Sequence, residues 1–366
     1  MAYKSLTERV PRTLICRLEE DKMARKELNH KVSFFSKAIA TLLTFQVFAP
    51  AAGCPPKENI FPQCTCTTGI VISCNIKTVE DIPVWAFRGY SISRLELTMS
   101  QTANKFTFGR YFFMGLTIKF IELKSFSLAT LDLMKDFEGL EKSLTGLSVI
   151  TSSIDNVTST ELQQLNKEFS LFLTLTMEGS MCLLNDDINY IGIPNIKTFT
   201  CTGNSGIKKA DKAPNYMLSD LSKLEKVDLG GVGFTGIERN VFPSDASKLK
   251  IINLRDNQLT KLEVHLFERM PALREVYLQG NKLTTIEKNI FQPVWNQLTH
   301  LYVNCNSVVC NCDVAWILYN PKKPANFIPP TCQGSSSTAS VSKKFIGLIL
   351  TDIELEDLCP TWIHFV

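Results

Sequence analysis

The sequence predicts an α/β solenoid: a curved horseshoe with a parallel β-sheet on its concave face, short helices and irregular turns on its convex face, and disulfide caps at both ends. Three observations predict it. An eleven-residue apolar frame recurs nine times, from starts at Ile92, Ile118, Leu144, Phe172, Ile196, Leu224, Leu249, Leu273 and Leu298, at intervals of 24 to 28 residues. One position of that frame favours asparagine or serine. Clusters of cysteine stand immediately before the first copy and after the last. Self-similarity at this period is the signature of units that cannot bury their apolar face alone and must stack.

The clearest unit runs Leu273-Arg-Glu-Val276-Tyr-Leu278-Gln-Gly-Asn281-Lys-Leu283, which reads L-x-x-L-x-L-x-x-N-x-L. Leu249–Leu259 and Leu298–Asn306 fit the same frame, and the earlier copies are weaker. This is a leucine-rich repeat solenoid. Positions 1, 4, 6 and 11 are apolar and point inward. Position 9 is Asn204, Asn257, Asn281 and Asn306 in four copies, and Ser100, Ser152 and Ser180 in three. An inward Asn satisfies backbone groups that would otherwise be buried without partners. Serine is shorter, so turns with serine are expected to be looser. Phe113, Phe137, Phe242, Phe267 and Phe291 recur between strands and are read as a stacked aromatic spine of the core. The region 151–220 is the least regular, and Lys208–Ala213 reads as an exposed insertion. The glycines of LGGVGFTG, beginning at Leu229, fall at a strand end and read as tight backbone packing.

The segment 1–51 is expected to be a signal peptide with a long n-region, with Met23 as an alternative start. Ala38–Phe48 has the length of an apolar h-region, four basic residues (Arg25, Lys26, Lys31 and Lys37) precede it, and Ala49-Pro50-Ala51 is a small-residue cleavage site. An uncleaved anchor is the alternative. No segment beyond it is long and apolar enough to suggest a membrane span in the mature chain. The remaining expected boundaries are an N-terminal cap over 52–91, about nine repeats over 92–306, and a C-terminal cap over 307–366.

The chain has twelve cysteines in 366 residues. Cys54, Cys64, Cys66 and Cys74 make a C-x9-C-x-C-x7-C pattern before the first repeat. Cys310, Cys312, Cys332 and Cys359 make C-x-C-x19-C-x26-C after the last. A solenoid leaves its core open at both ends, and small caps with little core of their own are usefully stapled by disulfides. Cys-x-Cys is too tight for the usual zinc knuckle. Spacing alone leaves three connectivities per cap.

These two clusters resemble the caps of extracellular leucine-rich repeat proteins. The C-terminal cap of that family opens N-P-W-x-C-D-C. Here the stretch is Asn306-Ser-Val-Val-Cys310-Asn-Cys312 followed by Trp316, with the Pro-Trp and Asp of the motif replaced. The resemblance implies pairing of Cys54 with Cys66, Cys64 with Cys74, Cys310 with Cys332, and Cys312 with Cys359. More narrowly, Cys54-Pro55 through Ile60, Pro62, Cys64 and Cys66 is similar to arthropod secreted repeat proteins grouped with the non-catalytic subunit of the Oplophorus luciferase. That likeness implies a stabilising partner subunit and not a catalyst.

Three cysteines remain once Cys16 is removed with 1–51. Cys182 and Cys201 fall at inward positions, as buried thiols or as a bridge within the irregular middle. Cys305 falls at position 8. By parity, eleven cysteines leave one over, and Cys305 is expected to be a free thiol or an intermolecular one. This leaves open a disulfide-linked or a non-covalent oligomer.

Function on such a scaffold is expected at side chains projecting from the concave sheet. Position 5 reads Glu96, Glu122, Ser148, Thr176, Thr200, Asp228, Asn253, Tyr277, Tyr302. Tyrosine is a favoured contact residue. Tyr277 and Tyr302 with His300, Arg274, Arg255, Asn253 and Asp228 form the candidate protein-binding patch. Recognition of microbial glycan or lipid, and service as an accessory subunit of a separate enzyme, are the alternatives. A net charge of +3 argues against a general nucleic-acid binder. No metal spacing, nucleophile elbow or phosphate-binding glycine loop occurs, and no cofactor is implied. Asn156-Val-Thr158 is the single glycosylation sequon, placed after position 11 and outside the sheet. The expected location is extracellular, by secretion.

Overall fold

The computed structural model describes residues 53–100, 105, 107–109, 111–131, 136–157, 169–179, 195–203, 212–333 and 344–359, with the backbone alone at 130–131 and 153–157. Its spine is a twelve-stranded sheet. The sheet begins as an antiparallel hairpin of Cys64–Thr67 on Val71–Ile76. From there every neighbour is parallel: Arg94–Met99, Phe120–Lys124, Gly146–Ile150, Thr174–Glu178, Thr198–Thr202, Lys226–Asp228, Ile251–Asn253, Glu275–Tyr277, His300–Tyr302 and Asn326–Ile328. The register keeps position 4 opposite position 4 throughout, as Leu95–Ile121–Leu147–Leu175–Phe199–Val227–Ile252–Val276–Leu301. All nine of these side chains are buried. Alternation along each strand sends its neighbours, positions 3 and 5, to the other face.

The strand ends share a backbone device that the sequence reading missed. Position 8 has a positive φ in eight successive repeats, at Ser125, Thr151, Gly179, Gly203, Gly231, Asp256, Gly280 and Cys305. This left-handed residue lets the chain leave the sheet sharply. Its N–H donates to the position-7 carbonyl of the next repeat, as from Gly179 to Thr202 (2.8 Å) and from Gly231 to Arg255 (2.9 Å). Four of the eight are glycine, which adopts this φ without steric cost. That recurrence was the available signal.

Just past that turn lies the asparagine ladder. Asn257 accepts at Oδ1 from Gly233 N (2.8 Å) and Phe234 N (3.0 Å), and its Nδ2 donates to the carbonyls of Leu229, Leu254 and Arg255. Asn281 and Asn306 repeat the arrangement one and two turns on. Ser152 manages two such bonds, accepting from Phe126 N and donating to Ile150 O, and Ser100 donates to Ile76 O. Asn204 and Ser180 lie outside the described residues, as does nearly all of the Lys208–Ala213 segment.

On the far side of the core, Phe113, Phe137, Phe242, Phe267 and Phe291 are all buried. Phe113 stacks on Phe137 at 5.6 Å, and Phe267 lies 5.5 Å from Phe291. Each such ring contributes roughly 1.5–3 kcal/mol by leaving water. Arg239 staples this side, donating to the carbonyls of Glu268 and Pro243, and desolvation holds its guanidinium below its ordinary pKa. Two short parallel sheets stand apart from the main one: Ser91–Ile92 with Thr117–Ile118, and Ser127–Leu131 with Ser153–Val157. Asn156 sits in a strand of the second of these, outside the main sheet.

The caps close the two ends of the core. Cys54 is bonded to Cys66 and Cys64 to Cys74 at the N-terminal end, and Cys310 to Cys332 and Cys312 to Cys359 at the C-terminal end. Trp316 extends the aromatic spine, 6.5 Å from Phe291 and edge-on to Trp295 at 4.6 Å, with its indole N–H donating to Ile286 O (2.8 Å). The sheet itself runs into both caps. Cys201 and Cys305 are also disulfide-bonded, and no described cysteine is a free thiol. The expectation of an unpaired thiol at Cys305 is thus overturned. Cys16, which the parity count removed, lies outside the described residues. Cys182 lies outside the described residues.

Candidate binding surface on the concave face

The concave face is divided by how its side chains are already engaged. At the N-terminal end the charges are consumed internally. Arg94 bonds Glu96 (3.0 Å) and Glu122, Lys124 bonds Glu122, and Ser73 donates to Glu96 (2.8 Å). The Lys124 ammonium is held above its ordinary pKa chiefly by its hydrogen bond to Glu122. Arg94 also lies over the Phe120 ring at 4.5 Å. That ring in turn covers Gly146: a Cβ built there would meet the ring at 2.7 Å, so the glycine makes room for it.

The middle of the face is small and hydroxylated. Thr174 pairs with Thr198 and Thr176 with Thr200 across adjacent strands. Beyond them Glu225 bridges Lys250 (2.6 Å) and Lys197 (3.1 Å), which together hold its carboxyl below the ordinary range, Lys250 contributing most.

The C-terminal end carries the aromatic side chains. Tyr277 and Tyr302 face each other across paired strands, ring centroids 5.0 Å apart and nearly perpendicular. The Tyr277 hydroxyl donates to Glu275 Oε2 (2.7 Å). His300 sits 6.1 Å from Tyr302, with Nε2 2.8 Å from Asn326 Nδ2, Nδ1 3.0 Å from Thr299 Oγ1, and Nδ1 4.0 Å from Glu275 Oε1. These contacts fix both rings and the carboxylate as one half-buried group.

The remaining candidates separate from this cluster. Arg274 donates to the carbonyls of Pro271 (3.1 Å) and Leu273 (2.9 Å), so its guanidinium braces its own turn. Arg255 lies close to Gly230, where its Cγ would be 3.0 Å from an added Cβ. Asp228 accepts from Gly230 N and Asn253 from Arg255 N, each closing a local turn. Asn253 is buried. Glu275 and Asn326 were not singled out in the sequence. Glu275 holds position 3 of its repeat, one of the projecting positions, so its place was legible although its bond to Tyr277 was not.

Comparison with known proteins agrees with this scaffold. A family model described as leucine rich repeat matches residues 222–283. The chicken NT-3 growth factor receptor is 34% identical over 79 residues, which is 21% of this chain and 9% of the receptor, so the chain spans less than a tenth of that relative. Among solved structures, the TLR13–ssRNA13 complex superposes with a TM-score of 0.51 at 15% identity, over 68% of this chain and 33% of that one. The Drosophila Toll–Spätzle complex superposes with a TM-score of 0.52 at 16% identity, over 75% and 38%. The likeness shows the fold, a leucine-rich repeat solenoid. No helix among the described residues is long and apolar enough to cross a membrane.

Proposed function

We propose that the chain is an extracellular binding module that docks a protein partner on the C-terminal third of its concave face. The Tyr277–Tyr302 pair carries this reading. It presents two large, amphipathic rings already fixed in place, so little side-chain entropy is lost when a partner covers them. The stapled caps favour an oxidising compartment. A nucleic-acid ligand is disfavoured because Arg94, Lys124, Lys197 and Lys250 are already bonded to carboxylates. A photo-cross-linking residue placed at Tyr302, and as a control at exposed Lys261, tests the reading in native secretions. A discrete protein adduct from position 302 and none from 261 supports it. Equal labelling from both positions, or glycan and lipid adducts alone, refutes it. An adduct with a separate enzyme subunit would turn the module into an accessory chain.

A further inference from the structure

We propose that Glu275, Tyr277 and Tyr302 form a notch for one cationic side chain of the partner, an arginine. This rests on the docking reading above. Glu96, Glu122, Glu225 and Glu275 stand on or beside the described concave strands. The first three are bonded to arginine or lysine. Glu275 has no such partner among the described residues; its ionic neighbour is His300, 4.0 Å away. The nearby cations are committed elsewhere, Lys250 to Glu225 and Arg274 to two backbone carbonyls, and Arg255 lies against Gly230. The Tyr277 hydroxyl holds the Glu275 carboxylate beside both rings.

A half-exposed carboxylate beside fixed aromatic rings suits a guanidinium. The carboxylate accepts its N–H groups while a ring face attracts the charge. The chain makes the same interaction within itself at the other end of the sheet. There Arg94 lies over Phe120 and bonds Glu96 and Glu122. The Glu275 notch holds the ring and carboxylate portions of that arrangement, and the partner brings the cation.

The test uses the full chain with ring-labelled tyrosine, followed by NMR while Nα-acetyl-arginine N-methylamide is added. The neutral citrulline analogue and tetramethylammonium are the comparison probes. Saturable shifts of Tyr277 and Tyr302 are expected, about tenfold weaker with citrulline. Glu275→Gln keeps an acceptor for the Tyr277 hydroxyl and should weaken the arginine titration at least about fivefold with Tm unchanged. Tyr302→Leu, checked the same way, serves if that variant does not fold. Equal binding of arginine and citrulline, or an unaffected Glu275→Gln, overturns the notch. Tighter binding of tetramethylammonium than of arginine overturns the choice of arginine. Loss of the notch with the position-302 adduct intact sinks this inference alone. Loss of the adduct sinks the docking reading.

Discussion

Replacing Asn281 with alanine tests whether the inward asparagines hold the turns together. Asn281 is buried and makes three backbone bonds: Nδ2 to Leu254 O (2.9 Å) and Leu278 O (2.9 Å), and Oδ1 from Leu259 N (3.1 Å). Alanine removes all three and leaves the backbone groups buried. Each unsatisfied group costs about 1–3 kcal/mol. Partial relaxation and entry of water lower the sum, so Asn281→Ala should cost about 3–5 kcal/mol. The loss is shared between repeats, since two of the three bonds reach back into the preceding turn. Equilibrium unfolding in guanidinium chloride checks it, followed by far-UV circular dichroism and by fluorescence of the buried Trp295 and Trp316. Exposed Lys282→Ala is the control and should stay within about 0.5 kcal/mol. A loss below about 1 kcal/mol for Asn281→Ala would refute the reasoning, because the three bonds would then be replaceable by solvent.

Two further outcomes follow from the strand ends and the ion pairs. Gly231→Ala should cost about 1 kcal/mol from its φ of +69°, since an added Cβ would stay 3.5 Å from Gly203, while Thr151→Gly should raise the unfolding midpoint by relieving a β-branched residue at φ +46°. Like signs for the two substitutions would exclude backbone strain as the cause. The Glu225 carboxyl is depressed by Lys250 and then Lys197, so its contribution is present above the unfolded carboxylate pKa and is lost as pH falls through the lower folded value. Stability of the native chain relative to Glu225→Gln, measured from about pH 6 to about pH 3, should therefore narrow toward the acid end, and a gap independent of pH contradicts the pairing.

Much of the fold was written in the spacing. The frame placed the inward residue of each strand, and the structure pairs those residues position for position, because a parallel sheet built from short crossovers has few ways to shift register. The asparagines were legible for a related reason: a buried amide must meet backbone groups nearby in the chain. Less legible was anything decided between repeats. The left-handed turn needed glycine at position 8 in some copies but accepted Ser125, Asp256 and Cys305 in others, which diluted the pattern. Phe120 over Gly146 is a contact across strands 26 residues apart, invisible to any local rule. Arg274 had the right position and the wrong direction, since a long side chain chooses its acceptors from whatever carbonyls are free, and Pro271 and Leu273 were nearer. The bonding of Cys305 was not legible either, because a cysteine's partner is set by which thiols the fold brings together and not by a count.

The constancy of register has a consequence for how such a chain can change. Repeat lengths vary from 24 to 28 residues, yet Tyr277 still faces Tyr302, and Thr176 faces Thr200. Extra residues are taken up outside the concave sheet, so an insertion there leaves the spacing of the floor untouched. The recognition surface and the outer segments can therefore diverge independently. One is edited by single substitutions on a fixed grid, and the other by gains and losses of whole stretches.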